Sequence, residues 1–375
     1  VIVVQICPEI GAGTGVGGVA ADLEAAWHRA GVETRRFTLA DAAGGWLPPV
    51  STSLRGRLTL LARVVWFSTV GSVLARRYCR SVPGAVALCH NDALAGDVYV
   101  NHGILQAAMR DRGRARWRML RNPMHLFVVA RDRHRFRSRT HRLVVNLSST
   151  EDRLLGEVYP RLATATTVVG NGVDLERFRP PTDGERSAAR ARLGYAPQDR
   201  VVLFVGNEHD RKGLPLVLEA LAHVRGARLL VVGGDPRMVA TARQRATRAG
   251  VADRCTFTGP VPDVREALHA ADVFCLPSAY ESFGLVYLEA LATGLPVVST
   301  PVGVVPDVVT DATGRIVPAD ALAVASALES VLRHGQGSFR TAAREAAERW
   351  SWDEVAARYL TVLRGLSTAD GGGSR

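Results

Sequence analysis

The sequence predicts an α/β chain made of two doubly wound, parallel-sheet domains. Three observations carry this expectation. The 375 residues amount to about two and a half typical domains. Short β-branched apolar runs alternate with Ala/Leu-rich helical patterns, the rhythm of parallel strands covered by helices. The rhythm stops at NGVDLERFRPP (171–181), a turn followed by an extended piece and two prolines, and then restarts.

The elements follow in order. Val1–Ile6 reads as a first strand, followed by a glycine loop and a helix near Gly18–Ala30. Further strands are expected at Val32–Leu39, Ala85–Cys89, Val98–Val100, Leu143–Asn146 and Thr166–Val169. In the second half, Val201–Val205 precedes a helix from about Leu214 to Val224. Strands near Arg228–Val232, Cys255–Thr258, Val273–Leu276 and Val297–Ser299 then alternate with helical segments. RWSWDEVAARYLTVLRGL reads as a last amphipathic helix opening after Ser351, and the tail TADGGGSR as disordered. The expected divisions are 1–172, 173–350, a helix over 351–366 and a tail over 367–375.

Composition narrows the classes. Hydrophobic residues are 47% and charged residues 22%, which is globular and excludes fibrous or wholly disordered chains. The longest apolar stretches noted, 143–147 and 201–205, are strand-sized, so no membrane-spanning run is expected. The opening VIVVQICPEI lacks the basic region and cleavage site of a signal peptide. Five scattered cysteines with no C-x-x-C suggest neither a disulfide framework nor a zinc site, and point to a reducing, cytoplasmic setting. The charge is lopsided: residues 1–172 hold 23 Arg against 12 acids, a net +11, whereas 173–375 hold 24 bases against 24 acids. Lys212 is the single lysine among 47 basic residues, either a position where a compact ammonium matters or a chance survivor of a codon bias towards arginine.

Four stretches carry chemistry. In ESFGLVYLEALATGLPVVSTPVG (281–303) a helix is expected to start near Phe283–Gly284. The amides of Gly284, Leu285 and Val286 would then form an anion site suited to a diphosphate. Glu281 and Glu289 beside that site make sense as acceptors for hydroxyls of a ribose and a sugar. Taken singly, each also reads as a solvent-facing glutamate on a capped helix. VGNEHDRKGLPLVLEAL (205–221) joins a strand to a helix, the ligand edge of open α/β sheets, and Arg211–Lys212–Gly213 there would place two cations on a phosphate. GAGTGVGGVA (11–20) contains G-x-G-x-x-G at Gly13, Gly15 and Gly18, but the acid this fingerprint requires is misplaced: Glu33 comes too early and Asp41 too late. The loop therefore also fits the approach of another phosphate or of an acceptor. DVYVNHGI (97–104) sets His102 just past an apolar strand, on the cleft side of its domain.

Together these stretches resemble the glycosyltransferases of family 4, from the first strand to the final helix. The most specific part is Glu281-x7-Glu289 within E-S-F-G-L-V-x-L-E-A-x-A-x-G-x-P-V-V; NGVDLERFRP and the helix opened by Trp350–Ser351–Trp352 also match. The resemblance implies a GT-B fold of two facing Rossmann-like domains, with the last helix crossing back to the N-terminal one. It implies an acceptor-binding first domain, a donor-binding second domain, and retaining transfer of a sugar from a nucleotide-sugar to a hydroxyl. Glu289 would hold the ribose and Glu281 the sugar. Arg211 and Lys212 would neutralise the diphosphate, helped by the loop Gly206, Asn207 and by Ser282, Phe283 and the amides of Gly284–Val286. Gly17 and Gly18 match the N-terminal loop near the phosphate, and His102 a histidine that contacts the sugar. No metal or other cofactor is implied, and no D-x-D occurs. Two positions depart from the family: Asn207 stands where many relatives have Arg, and Gly303–Val304–Val305–Pro306–Asp307 replaces the usual G-G-x-x-E.

A UDP-sugar is the first expected donor and a GDP-sugar the second. The acceptor is a glycolipid, a cell-envelope glycan or a natural product. The Arg-rich stretch 110–142, punctuated by Trp117, Met119, Leu120, Met124, Leu126 and Phe127, together with 58–80, reads as a basic amphipathic surface. A peripheral position on the inner membrane face follows from that reading, and no nucleic-acid partner is expected. Two alternatives stand beside it: an NAD(P)-dependent enzyme using the 13–18 loop, and a non-enzymatic nucleic-acid or membrane-surface binder using 110–142.

Overall fold

The computed structural model describes residues 2–11, 13, 15–50, 54–111 and 122–371. Two compact units result: residues 1–172 with 352–375, and residues 173–351.

The first unit is a six-stranded parallel sheet of β1 (Ile2–Ile6), β2 (Thr34–Phe37), β3 (Ala85–His90), β4 (Val98–Asn101), β5 (Leu143–Asn146) and β6 (Ala165–Val168), in the order β2-β1-β3-β4-β5-β6. β1, β3 and β4 are buried almost throughout, as strands covered on both faces must be. The second unit repeats the architecture with β7 (Arg200–Val205), β8 (Ala227–Val232), β9 (Cys255–Gly259), β10 (Val273–Cys275), β11 (Val297–Ser299) and β12 (Gly314–Ile316), ordered β12-β11-β10-β7-β8-β9. Strand order reverses at β1/β3 in the first sheet and at β7/β10 in the second. In open α/β sheets that reversal leaves a crevice at the carboxyl ends of the two strands.

The last helix, Trp352–Gly371, belongs to the first unit. There Trp27 donates from its indole N–H to the Ala356 carbonyl (3.1 Å), and its ring meets that of Tyr359 edge-on. The helix runs past the expected end at 366, so residues 367–371 are helical rather than disordered.

Two other expectations change. Residues 56–80 form a helical segment that is long and apolar enough to cross a membrane, by length and composition alone. No single uninterrupted apolar run shows this, because arginines punctuate the segment. One face is tied down: Phe67, Ser68, Gly71, Ser72 and Ala75 are buried, Trp66 donates to Ala42 O (2.9 Å), and Ser72 Oγ accepts from Leu94 N (2.7 Å). The other face exposes Leu58, Val70 and Val73. The Arg-rich stretch is also not uniformly a surface. Arg131 pairs with Asp92 (2.6 Å) and Asp132 (2.9 Å), and Arg135 reaches Asp132, Asn91 O and Ala93 O while stacking over Tyr99. Both arginines are buried: carboxylates and carbonyls meet Arg131 and the two Nη groups of Arg135, while Arg135 Nε has no hydrogen-bond partner. Arg133, Arg137 and Arg139 remain exposed. Trp117, Met119 and Leu120 lie outside the described residues.

Candidate active site

In the second unit, the loops that leave β7 and β10 meet at the strand-order reversal. The β7 loop runs from Gly206 to Gly213 and opens the helix Leu214–His223. Gly213 sits at φ 81°, and a Cβ there would lie 2.1 Å from Pro277 O. Only glycine permits both that backbone and that approach. Ala279 N donates to Arg211 O (2.8 Å), closing the junction.

The junction brings the expected side chains together. Lys212 Nζ donates to Glu281 Oε1 at 2.9 Å, Ser278 Oγ donates to the same oxygen at 3.0 Å, and Arg211 Nη1 stands 3.6 Å from it. Arg211 also pairs with Glu208 (3.1 Å) and donates to Tyr280 O. All three contacts on Glu281 converge on Oε1. The three charged side chains are only 10–18% exposed. In such a setting charge interactions are screened far less than on an open surface. Lys212 folds its stem against Gly206, where a Cβ would lie 2.3 Å from Cδ.

Gly284, with φ 90°, caps the helix Leu285–Ala292, so the first helical residue is Leu285 rather than Phe283 or Gly284. The amides of Leu285 and Val286 fall in the first turn, where no intrahelical partner exists. Phe283 is buried with its ring against Trp350, and its carbonyl accepts from Val304 N (2.9 Å). Among the expected donor contacts its side chain is therefore structural, and Ser282 beside it is half-buried. Gly303 packs so closely that a Cβ would lie 2.2 Å from Phe283 O, and the short helix Val305–Val308 follows.

Glu289 lies further along the same helix. Burial pushes its carboxyl up to about 7, against the pull of Arg177 and Lys212. Asn207 does not replace a guanidinium: its Oδ1 accepts from Gly234 N (3.3 Å), tying the β7 loop to the turn after β8. Arg211 is the cation beside Lys212.

Sequence reasoning missed Ser278, Arg177 and His209. Arg177 approaches Asp263 (3.8 Å) on the Glu289 side. His209 is buried and in reach of Gly233 O through Nε2 (3.2 Å), which fixes the loop behind Lys212. Arg177 stands within the NGVDLERFRP match, a signal that could have flagged it; Ser278 and His209 have none.

Gly17, Gly18 and His102 belong to the first unit. A Cβ at Gly17 would lie 2.6 Å from Glu9 O, and one at Gly18 2.4 Å from Gly13 O, so the glycine loop folds onto the start of the helix Val16–Arg29. Beside it, at the β1/β3 reversal, is a cavity of about 390 Å³ whose lining includes Glu9, Gly17, Gly18, Leu60, Arg63 and Asp92. His102 follows β4 and is half-buried. Glu33 pairs with Arg35 (2.9 Å), and Asp41 accepts from Thr38 N (2.7 Å), so neither acid is held ready for a dinucleotide ribose.

Residues 199–334 match the family described as Glycosyl transferases group 1. A D-inositol 3-phosphate glycosyltransferase of Mycobacterium marinum is 37% identical over 238 residues, covering 60% of this chain and 50% of that protein. The chain thus spans about half the length of the curated relatives it matches. WaaG, a glycosyltransferase involved in lipopolysaccharide biosynthesis, superposes with a TM-score of 0.73 at 21% identity, over 96% of this chain and all of its own. Anabaena Alr3699/HepE, solved with UDP-glucose, gives 0.65 at 19% identity, over 97% and 99%. The fold is therefore GT-B, with two parallel six-stranded sheets and a returning C-terminal helix. Residues 199–334 of this chain are thus similar to the group 1 glycosyltransferases, and the curated relatives it matches are named as glycosyltransferases.

Proposed function

We propose that the protein is a retaining glycosyltransferase of family 4 that moves a sugar from a nucleoside-diphosphate sugar to a hydroxyl acceptor. The observation that carries this reading is the convergence of Lys212, Arg211 and Glu281 beside the first-turn amides of Leu285 and Val286. A nucleoside diphosphate gains charge as its bond to the sugar breaks, and fixed cations and N–H donors stabilise that charge where it develops. Lys212 and Arg211 meet the diphosphate, Glu289 takes the ribose hydroxyls, and Glu281 takes a sugar hydroxyl. No metal is needed for this neutralisation. UDP is the first donor nucleotide and GDP the second; HepE's complex with UDP-glucose supports that order.

The acceptor belongs to the first unit, whose glycine-loop cavity offers Glu9, Asp92 and Arg63 beside apolar Leu60 and Val64. A glycolipid, a cell-envelope glycan or a natural product fits that mixed lining. D-inositol 3-phosphate, named for the curated relatives, belongs in the first acceptor panel.

The test is a binding and turnover series in EDTA. UDP or GDP should raise the melting temperature by several degrees where NAD(P) does not. Lys212→Ala and Glu281→Ala should lower turnover at least about a hundredfold, the scale of losing one preorganised donor at a developing anion, with the fold intact. Near-wild-type transfer by either variant would refute the assignment.

A second reading concerns where the enzyme works. The exposed face of the 56–80 segment sets Leu58, Val70 and Val73 beside exposed Arg57, Arg76, Arg77 and Arg80. An apolar strip fringed by arginines suits the headgroup layer of an anionic bilayer. We place the protein at the cytoplasmic membrane surface through this face. Vesicles containing phosphatidylglycerol should sediment the protein, neutral vesicles should not, and Leu58→Asp with Val73→Asp should release it. Equal sedimentation of the double variant would rule the face out.

A further inference from the structure

Three side chains of the first unit form a hydrogen-bonded chain whose polarity can be worked out atom by atom. Gln5 lies on β1 and is fully buried; its Nε2 donates to Ala20 O at 3.0 Å. His90, the last residue of β3, is also fully buried, with Nε2 3.0 Å from Gln5 Oε1 and Nδ1 3.0 Å from His102 Nε2. A carbonyl oxygen only accepts, so the Gln5 amide nitrogen must face Ala20 and its oxygen must face His90. The amide oxygen likewise only accepts, so His90 Nε2 carries the hydrogen. Burial, reinforced by the neighbouring His102 ring, holds His90 well below the usual histidine range, so His90 is neutral and its Nδ1 is a bare lone pair. That lone pair requires a hydrogen on His102 Nε2. His102 Nδ1 is then free of hydrogen, at the half-buried end of the chain.

We infer that Gln5 and His90 are positioning residues that lock His102 as the Nε2–H tautomer, so that its Nδ1 is a fixed acceptor for a sugar hydroxyl and disfavours a carboxylate. The tautomer follows from the hydrogen-bond geometry together with the neutrality that burial imposes on His90. The sugar contact rests on the glycosyl-transfer reading given above. A hydroxyl can donate to the bare nitrogen, whereas a carboxylate presents only lone pairs to it. Protonating His102 to receive a carboxylate is opposed by burial, which lowers the imidazole to about 4. The donor class selected is thus a nucleotide sugar bearing a neutral hydroxyl at the His102 contact, rather than a nucleotide uronate.

The test is two-bond proton–nitrogen correlation on the full chain carrying 15N-histidine, with His90→Asn and His102→Gln used to assign signals. At pH 7 both rings should be neutral, with Nε2 protonated and Nδ1 not. Gln5→Leu and His90→Leu should leave the melting transition cooperative but let His102 populate both tautomers. His90→Asn, whose Oδ1 takes the place of Nδ1 as acceptor, should restore the single tautomer. Protonated Nδ1 on wild-type His102, a charged His102 at pH 7, or a His102 signal untouched by both leucine variants would each overturn the lock. The spectra decide this whether or not transfer is detected. Where transfer is detected, wild type should prefer a neutral UDP-sugar over the matching uronate by at least about tenfold in kcat/KM, and His90→Leu should narrow that ratio. A preference unchanged in His90→Leu would overturn the selectivity.

Discussion

At the scale of single residues, Glu289 has the most accessible chemistry. Burial raises its carboxyl from the ordinary 4.5 to about 7, so near neutral pH it is part protonated before any ligand arrives. Ribose hydroxyls donate to a carboxylate better than to the acid, so binding favours the ionised form. Affinity for a nucleotide sugar should rise about tenfold from pH 6 to pH 8, following the ionised fraction of a group titrating near 7. Glu289→Gln should bind more weakly at pH 8 and with a flattened profile, as measured by calorimetry across that range. A wild-type profile in the variant would place the ribose elsewhere. Glu281, Glu289 and Lys212 were legible in the sequence because their spacing and rarity survive without coordinates. Ser278 and His209 were not, since each acts by meeting a group brought near only by strand order. The same holds for Gln5 and His90, which touch because β1 and β3 are neighbours.

At the scale of elements, the site depends on how closely the two loops after β7 and β10 approach. Gly213 keeps Lys212 and Glu281 in contact by giving up its side chain at the crossing with Pro277. Gly213→Ala adds a left-handed alanine and a clash with a carbonyl. It should cost at least about 1–3 kcal/mol in urea unfolding and weaken nucleotide binding further by separating the loops. A variant as stable as wild type would show that the junction yields without cost. Strands β1 to β11 and the start of the helix after Gly284 could be read from pattern to within a residue or two, whereas the three-residue β12 was not expected. One further element-level feature could not be read. Whether an arginine in the 131–135 segment faces water or a buried carboxylate depends on Asp92 and Asn91, which come from another strand end. The apolarity of residues 56–80 stands in the sequence, where Arg63 alone interrupts 58–75; the structure adds that the segment is helical throughout.

At the scale of the whole molecule, the residues proposed to handle the nucleotide, Lys212, Arg211, Glu281, Glu289 and Arg177, all lie in 173–351. That segment expressed alone should fold and bind the donor nucleotide with an affinity within about tenfold of the full chain's, while transferring nothing. Binding lost altogether from a folded segment would mean that the first unit supplies donor contacts. The repeat of sheet architecture was legible in the restart of the β/α rhythm. That the chain returns to its first unit was legible only through family resemblance, because nothing in an amphipathic helix says which sheet it covers.

The two places where the chain passes from one unit to the other are neighbours. Val173 N donates to Trp350 O at 2.8 Å and pairs with Ser351, while Gly172 lies against Trp352. A piece whose two ends touch is a cassette: it can be lifted out or replaced at two adjacent joints without stretching either connection. Genetic exchange at those joints would trade one 173–351 unit for another and keep the rest of the molecule unchanged. Under the proposed function, the sugar delivered and the acceptor that receives it would then be separately inheritable traits within one polypeptide.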